Sequence, residues 1–424
     1  MDNFLDKFFF RSRNLDYIKR NLIDLTNQTS VNKIFEALNN YSEKSEVRYV
    51  GGCIRKVIKK EIIDDIDLAT NLTPSEVCDA LKKKKIKFYE TGISHGTITA
   101  IIDEFKYEIT TLRKDVATDG RHAKVEFSLD WKEDAARRDF SINSIYSDRD
   151  GNLFDPFNGK KDVESGSINF IGEVENRIKE DYLRILRYVR FFLNYSNHKH
   201  DPRIIKIIKK NIGGVAKLSS ERLLDELKKL STSKEFIKIF KDKVSLELIE
   251  IIFPQLKNLE NFKKLNNYAL NNISKIDFIF FLALMIIDGT DNADYFLYKF
   301  NISNKDQKRL KAINLFYKKD ASLKSFTEKN LNKIFYFNGR QTVLDIISFK
   351  LFMSTKVEKK LLNLLKIYKD REIPTMPIGA NILMIKYDIP EGKILGNKLK
   401  IIEEVWVSNG FDITEKQIQK IIKS

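Results

Sequence analysis

The chain has 424 residues, with 75 Lys and Arg against 59 Asp and Glu, and a formal net charge of +16. That length exceeds what one growing core organises, so two or more compact parts are expected, and the positive balance suits a polyanionic partner: RNA, DNA or an anionic membrane face. The longest apolar run, Phe278 to Ile287, is closed by Asp277 and Asp288 and reaches about half of the ~20 residues that a membrane helix needs, so it reads as a buried helix; with no cleavable leader pattern near Asp2 and Asp6, the cytoplasm is the expected compartment.

Up to about Ile171, short β-type runs alternate with helical spacing, and beyond Glu173 the pattern is almost wholly helical. Arg48 to Val50 reads as a strand leading into Gly51-Gly52, Cys53 to Lys60 as a helix, and Ile62 to Leu68 as a second strand. Thr73-Pro74-Ser75-Glu76 combines an N-cap, a first-turn proline and a capping-box glutamate, which starts a helix running to about Lys84. Three further strands follow at Lys87 to Glu90, Gly96 to Ile102 and Phe105 to Leu112, the last two joined as a hairpin at Asp103-Glu104. Asp130 to Ser147 reads as one helix, Gly151 to Gly172 as a turn-rich hinge, and Glu173 to Asn194 as one long helix. Helical stretches continue near Ile204 to Lys210, Glu221 to Leu230 and onward to about Tyr368, after which Arg371 to Pro377 sets off a last segment centred on Trp406. Cys53 and Cys78 have no partner spacing for zinc or a disulfide framework, and the four histidines form no His-Asp pair or Cys/His cluster, which argues against an appended metal phosphohydrolase.

The residues that carry chemistry gather in the first half. On a strand, Asp65 and Asp67 project to one face, where two carboxylates can share divalent cations; Mg²⁺, a hard ion, prefers such oxygens together with water and phosphate. Asp-x-Asp alone also occurs at ordinary exposed strand ends. Gly51-Gly52 at a strand-to-helix turn lets backbone N–H groups approach a phosphate, and Arg55 adds positive potential one turn on, although a lone Gly-Gly is more often just a tight turn. Glu108 offers a third carboxylate, or else a surface glutamate. Asp181 and Arg184, three apart, can present an acceptor and a donor fork to the edge of a cytosine or adenine; in an unrelated chain the same spacing is a surface ion pair. Arg187 and Arg190 continue the spiral toward a triphosphate, or are solvated helix charges.

In order along the chain, Gly51-Gly52-x-x-Arg55 with Asp65-x-Asp67, then Arg137-Arg138-Asp139-Phe140-Ser141-Ile142-Asn143, then Asp155-Pro156-Phe157 through Gly159 and Asp162, then Glu180-Asp181-x-x-Arg184-x-x-Arg187-x-x-Arg190, and finally Ser220-Glu221-Arg222 resemble the five motifs of the class II tRNA nucleotidyltransferase and bacterial poly(A) polymerase group, within the DNA polymerase β-like nucleotidyltransferase superfamily. The resemblance implies an α+β fold. A small mixed-sheet head (46–150) follows an N-terminal helical segment (1–45) and precedes a hinge and neck (151–232), a helical body (233–370) and a tRNA-binding tail (371–424). It implies addition of CCA to tRNA from CTP and ATP, with Asp65, Asp67 and Glu108 catalytic, a two-ion Mg²⁺ site on Asp65 and Asp67, and nucleotide contacts from Gly51, Gly52, Arg55, Arg138, Asp139, Asn143, Glu180, Asp181, Arg184, Arg187 and Arg190.

Arg113 to Lys124, with Asp115, Asp119, Gly120, Arg121 and His122, resembles the flexible loop required for switching from C to A, which favours full CCA synthesis over a CC-adding relative. Thr91 to Thr97 resembles the tRNA-directed form and lacks the Gly-basic-basic-Phe signature of the poly(A) polymerase branch. Gly392, Gly396 and Glu403-Glu404-x-Trp406 resemble the tail that grips the tRNA elbow. Lys56 departs from the pattern, standing where the group has an acidic residue. A poly(A) polymerase and a catalytically silent RNA-binding module are the competing readings.

Overall fold

The computed structural model describes residues 17–118, 123–233, 235–319 and 322–423. The chain folds as two compact units that divide between Leu227 and Lys228.

In the first unit, helices α1 (Tyr17–Gln28) and α2 (Val31–Asn39) precede strand β1 (Val47–Val50), helix α3 (Gly52–Lys59), strand β2 (Ile66–Thr70) and helix α4 (Pro74–Lys83). Strands β3 (Lys87–Gly92), β4 (Thr97–Ile102) and β5 (Phe105–Thr111) follow, then β6 (Arg113–Thr118) and β7 (Ala123–Phe127), which pair separately as a two-stranded ribbon. Helix α5 (Trp131–Ala136) and short strands β8 (Tyr146–Ser147) and β9 (Leu153–Phe154) complete a seven-stranded sheet of order β3-β4-β5-β2-β1-β8-β9. The sheet is mixed because β2 and β5 run parallel, with Asp67 opposite Glu108, whereas the other neighbours are antiparallel.

Local chemistry explains these elements. Thr73 and Glu76 form the full reciprocal capping box that starts α4. Asp103 and Glu104, at φ 49° and 68°, make the two-residue turn between β4 and β5, the left-handed pair that matches strand twist. Gly51, at φ 68°, turns the chain from β1 into α3 with its N–H on the Ile145 carbonyl.

Several expectations are corrected. The second strand begins at Ile66, not Ile62, because its ladder to β5 starts at Ile66 opposite Tyr107; Asp65 therefore lies just before the strand and Asp67 within it. Asp130 to Ser147 is not one helix. After α5 the Arg137 and Arg138 guanidiniums turn back onto the buried Asp134, Phe140 becomes extended (φ −129°, ψ 147°) and pairs with Phe170, and the chain ends in β8. The hinge passage holds helix α6 (Gly159–Ser165), whose first N–H groups are capped by the Asp155 carboxylate. Glu173 to Asn194 is two helices, α7 (Val174–Glu180) and α8 (Leu183–Tyr195), broken by the extended Asp181 (φ −151°, ψ 104°), whose Oδ1 accepts from the Leu183 N–H. Helices α9 (Pro202–Asn211) and α10 (Ser220–Ser231) follow.

In the second unit the run at Phe278–Ile286 is a helix with all but its first two residues buried, capped by Asp277. Among the described residues no helix is long and apolar enough to cross a membrane. Residues 371–379 are irregular, and the segment beyond them has a small core of Leu383, Ile389, Leu395, Ile402 and Ile418. Trp406 lies on helix Lys393–Ser408 with its ring edge-on to Tyr336 at 5.3 Å, and the Tyr336 hydroxyl donates to Glu403.

The break at Asp181-Tyr182 rests on a close approach: a Cβ on Gly214 would stand 2.0 Å from Cε1 of the Tyr182 ring, whereas one on Gly213 would meet nothing within 4 Å. Gly214→Ala is expected to lower stability by roughly 1–3 kcal/mol through overpacking, and Gly213→Ala to leave it nearly unchanged, in parallel thermal unfolding by circular dichroism.

Candidate active site

The parallel pairing of β2 with β5 brings acids together. Asp67 and Glu108 are register partners, and Asp65 stands one residue ahead of the ladder. Burial, then the charges of Asp65 and Glu108, push the Asp67 carboxyl up to about 6, against the opposing pull of Arg138 and Lys56. Burial also pushes the Cys53 thiol up to about 12, with Asp67 and Asp65 next in effect, so both aspartates act on the same face of α3. A Cβ on Gly52 would lie 4.0 Å from Asp65 Oδ2, which sets the glycine turn beside the carboxylates. No group of three or more His, Cys, Asp or Glu among the described residues encloses an ion by itself. The donors nevertheless fit a divalent cation: hard, mutually repelling carboxylate oxygens, open on one side to ligands from water or phosphate.

A second cluster surrounds the Arg137-Arg138-Asp139 segment. Arg138 donates to Asp134 and to the Tyr146 hydroxyl at 2.9 Å, and its Nη1 would stand 3.7 Å from a Cβ on Gly51. Asp134, 1% exposed, receives Arg137, Arg138 and the Tyr146 hydroxyl; burial opposes its charge, and the two arginines overcome that and hold its carboxyl well below the usual range. Asp139 is the centre of a chain of bonds: Arg187 Nε donates to Oδ2 at 2.6 Å, Asn143 Nδ2 to Oδ1 at 2.8 Å, and Arg55 Nη1 donates to Asn143 Oδ1.

The guanidiniums of Arg55, Arg187 and Arg190 all lie over the Phe191 ring, at 5.0, 5.4 and 4.3 Å. Their carboxylate partners are Asp139, bound to Arg187, and Glu226, bound to Arg190. Three positive charges thus meet two negative ones in a desolvated neck. Burial, then Arg187 and Arg55 against the help of Glu226, holds the Arg190 pKa below that of an ordinary arginine. Arg187 and Arg190 are therefore not solvated helix charges.

The pair expected to read a base does not share a helix face. Asp181 sits in the break, bound by Arg222 at 2.8 Å. Arg184 lies at the start of α8, 7% exposed, and donates to Glu180 and to the carbonyls of Arg177 and Arg137. The expected flexible loop is the β6–β7 ribbon; Asp115 lies on β6, whereas Asp119, Gly120, Arg121 and His122 fall outside the described residues. Asp134, Glu226 and Asp64 are not among the residues expected from the sequence. Asp134 had a signal in its i,i+3 and i,i+4 spacing to Arg137 and Arg138. Glu226 and Asp64 had none, since their partners are set by the tertiary fold.

The chain is 33% identical over 392 residues to human CCA tRNA nucleotidyltransferase 1, mitochondrial, an alignment that covers 90% of this chain and 87% of the human one. It belongs to the CCA tRNA nucleotidyltransferase family. Residues 47–169 match the family described as "Poly A polymerase head domain", and residues 199–260 that described as "Probable RNA and SrmB- binding site of polymerase A". The CCA-adding enzyme of Lactobacillus johnsonii is 28% identical over 87% of this chain and 92% of its own. In fold, the chain is similar to the Bacillus stearothermophilus CCA-adding enzyme in complex with CTP, with a TM-score of 0.69 and 22% identity over 92% of this chain and 95% of that one.

In this member of the family, Asp139 has a testable energetic role. Burial alone would raise its pKa, but the charge and hydrogen bond of Arg187, with the Asn143 amide, bring it down to about 2. A folded pKa below the unfolded value of ~3.9 means that the native state binds fewer protons; its stabilising contribution is complete above about pH 5 and is lost as pH falls through about 2. Asp139→Asn, which leaves Arg187 without its carboxylate, is expected to cost about 3 kcal/mol at pH 7 and much less at pH 2, in urea unfolding at the two pH values.

Proposed function

We propose that this protein completes the 3′ terminus of tRNA by adding CCA from CTP and ATP with release of pyrophosphate. The observation that carries the reading is the meeting of Asp65, Asp67 and Glu108 beside the Gly51-Gly52 turn, on a chain whose relatives are named for this reaction. The 3′-hydroxyl oxygen of the tRNA forms a bond to the α-phosphorus as the bond to pyrophosphate breaks. Asp65 and Asp67, with Glu108 beside them, would hold Mg²⁺, two ions in this reading, which when bound would supply charge neutralisation and a more acidic attacking hydroxyl. Every other contribution comes from positioning. Gly52 and the α3 N-terminus approach the phosphates through backbone N–H groups, the Gly51 N–H being taken by the Ile145 carbonyl, and the uncompensated positive charge of the Arg55, Arg187 and Arg190 cluster suits a polyphosphate tail. Arg138, Asp139 and Asn143 lie between that cluster and the glycine turn, where the nucleotide sugar would sit.

Base choice is assigned to Asp181 and Arg184, with Glu180. In this reading the cytosine or adenine edge takes over hydrogen bonds that Arg222 gives to Asp181 and that Arg184 gives to Glu180. The β6–β7 ribbon serves the switch from C to A, and 371–424 holds the tRNA. The cytoplasm remains the proposed compartment, although the human and mouse relatives are named mitochondrial.

Incubation of purified protein with a tRNA ending before CCA, plus CTP and ATP, is expected to give a product three nucleotides longer, resolved on a sequencing gel. Long A tails from ATP alone on generic RNA would instead favour a poly(A) polymerase, and arrest after two cytidines a CC-adding enzyme. Asp67→Ala is expected to abolish incorporation, a loss of ~10³-fold or more, with tRNA affinity by filter binding retained; an active variant would overturn the assignment of Asp67, and a parent chain that binds tRNA but incorporates nothing would return it to the class of silent RNA-binding modules. Replacing Asp181 and Arg184 together by alanine is expected to relax selection, detected as UMP or GMP incorporation when each triphosphate is offered separately.

A further inference from the structure

Lys56 projects from α3 toward the carboxylates. Its side chain is only 17% exposed, and its Nζ donates to Asp65 Oδ1 at 2.7 Å and also to Asp64 Oδ1. The two aspartates are open to solvent, 72% exposed at Asp64 and 62% at Asp65, so the cation is the enclosed member and the acids face outward. An oxygen of Asp65 that accepts from an ammonium cannot at the same time give its full charge to a divalent ion, and two cations on one carboxylate repel. Asp64 provides the ammonium with a second acceptor one residue away, which lets it leave Asp65 without being left unpaired. Lys56 also stands within the field of Asp67, so its charge is felt by both carboxylates assigned to the metal.

We propose that Lys56 is a tethered competitor of the divalent ion: it pairs with Asp65 when no metal is bound, moves wholly onto Asp64 when metal binds, and thereby sets the divalent concentration at which the enzyme works. Lys56 is a positioning residue, and the inference rests on the assignment of Asp65 and Asp67 as metal ligands. No step of the transfer reaction passes through it.

The test is Mn²⁺ binding to the full chain without nucleotide, followed by the electron paramagnetic resonance signal of free Mn²⁺. Lys56→Gln is expected to tighten Mn²⁺ roughly two- to five-fold, the range of an ion pair partly open to water, while Lys56→Arg stays near the parent value. Asp64→Asn is expected to weaken Mn²⁺ in the parent chain and to do so less when Lys56 is Gln. The half-saturating Mg²⁺ for CMP incorporation should shift in the same direction as the Mn²⁺ affinity. Unchanged or weaker Mn²⁺ binding by a folded Lys56→Gln variant would overturn the proposal, as would a loss of CTP affinity in its place, which would make Lys56 a phosphate-holding residue. The underlying assignment fails separately: if Asp67→Asn leaves Mn²⁺ binding intact, the carboxylates do not hold the ion, and the reading of the active site falls with it.

Discussion

A buried carboxylate bound by two side chains, Asp139, joins the parts of the first unit on which everything else depends. It receives Arg187 from the neck, Asn143 from its own turn and, through Asn143, Arg55 from the helix that begins at the glycine turn. Each of these groups would be costly to bury alone; the bonds between them tie α3 to α8. The glycine turn lies beside Asp65, so the same chain of bonds fixes the phosphate-approaching backbone against the carboxylates. One hydrogen-bonded path thus sets the separation between the place where charge would be neutralised and the place where a base would be read.

The carboxylate site is built on an opposite principle. Where the neck pairs two of its three arginines with carboxylates, the strand pair β2–β5 places like charges in register, and burial, then that repulsion, raises the Asp67 carboxyl. Parallel pairing makes this possible without a turn between the two acids, because Asp67 and Glu108 reach the same level of the sheet from strands far apart in sequence. The protein's own cations relieve part of that repulsion, Arg138 from one side and Lys56 from the other. A site that is left partly uncompensated retains affinity for an external cation, whereas a fully paired one would not. The position of Lys56 matters for that reason: a basic residue there reduces the charge deficit that a metal ion would otherwise meet.

What was legible in the sequence follows a physical division. Features fixed by neighbours a few residues away were readable: the capping box at Thr73, the two-residue turn at Asp103-Glu104, the glycine entry to α3, the apolar run at 278–287 with its aspartate cap. Asp65, Asp67 and Glu108 are picked out through the resemblance, and the β2–β5 pairing brings Asp67 and Glu108 into register. The errors lay where side chains far apart overrode helical spacing. Arg137 and Arg138 have the periodicity of a continuing helix, yet burying Asp134 against both of them and Tyr146 requires the chain to turn. Asp181 likewise sits in a helical pattern, and only the Arg222 partner from 41 residues away and the Tyr182–Gly214 approach account for its extended backbone.

That second break bears on how a base could be chosen. On one continuous helix, Asp181 and Arg184 would be fixed at a separation set by the helix itself, and any fit to a base would follow from backbone geometry alone. With the helix broken between them, Asp181 is held by Arg222 and the start of α8, while Arg184 is held by Glu180 and by the carbonyls of Arg177, on α7, and Arg137, at the end of α5. The two groups that would face a base therefore answer to different partners and can adjust separately. Cytosine and adenine differ in size and in the placement of their donor and acceptor, so one rigid pair could suit one of them well and the other poorly. A pair whose members rest on distinct partners can serve both, provided that each base returns at least the hydrogen bonds it displaces; uracil and guanine, which present the opposite pattern, would leave the half-buried Asp181 carboxylate facing an acceptor.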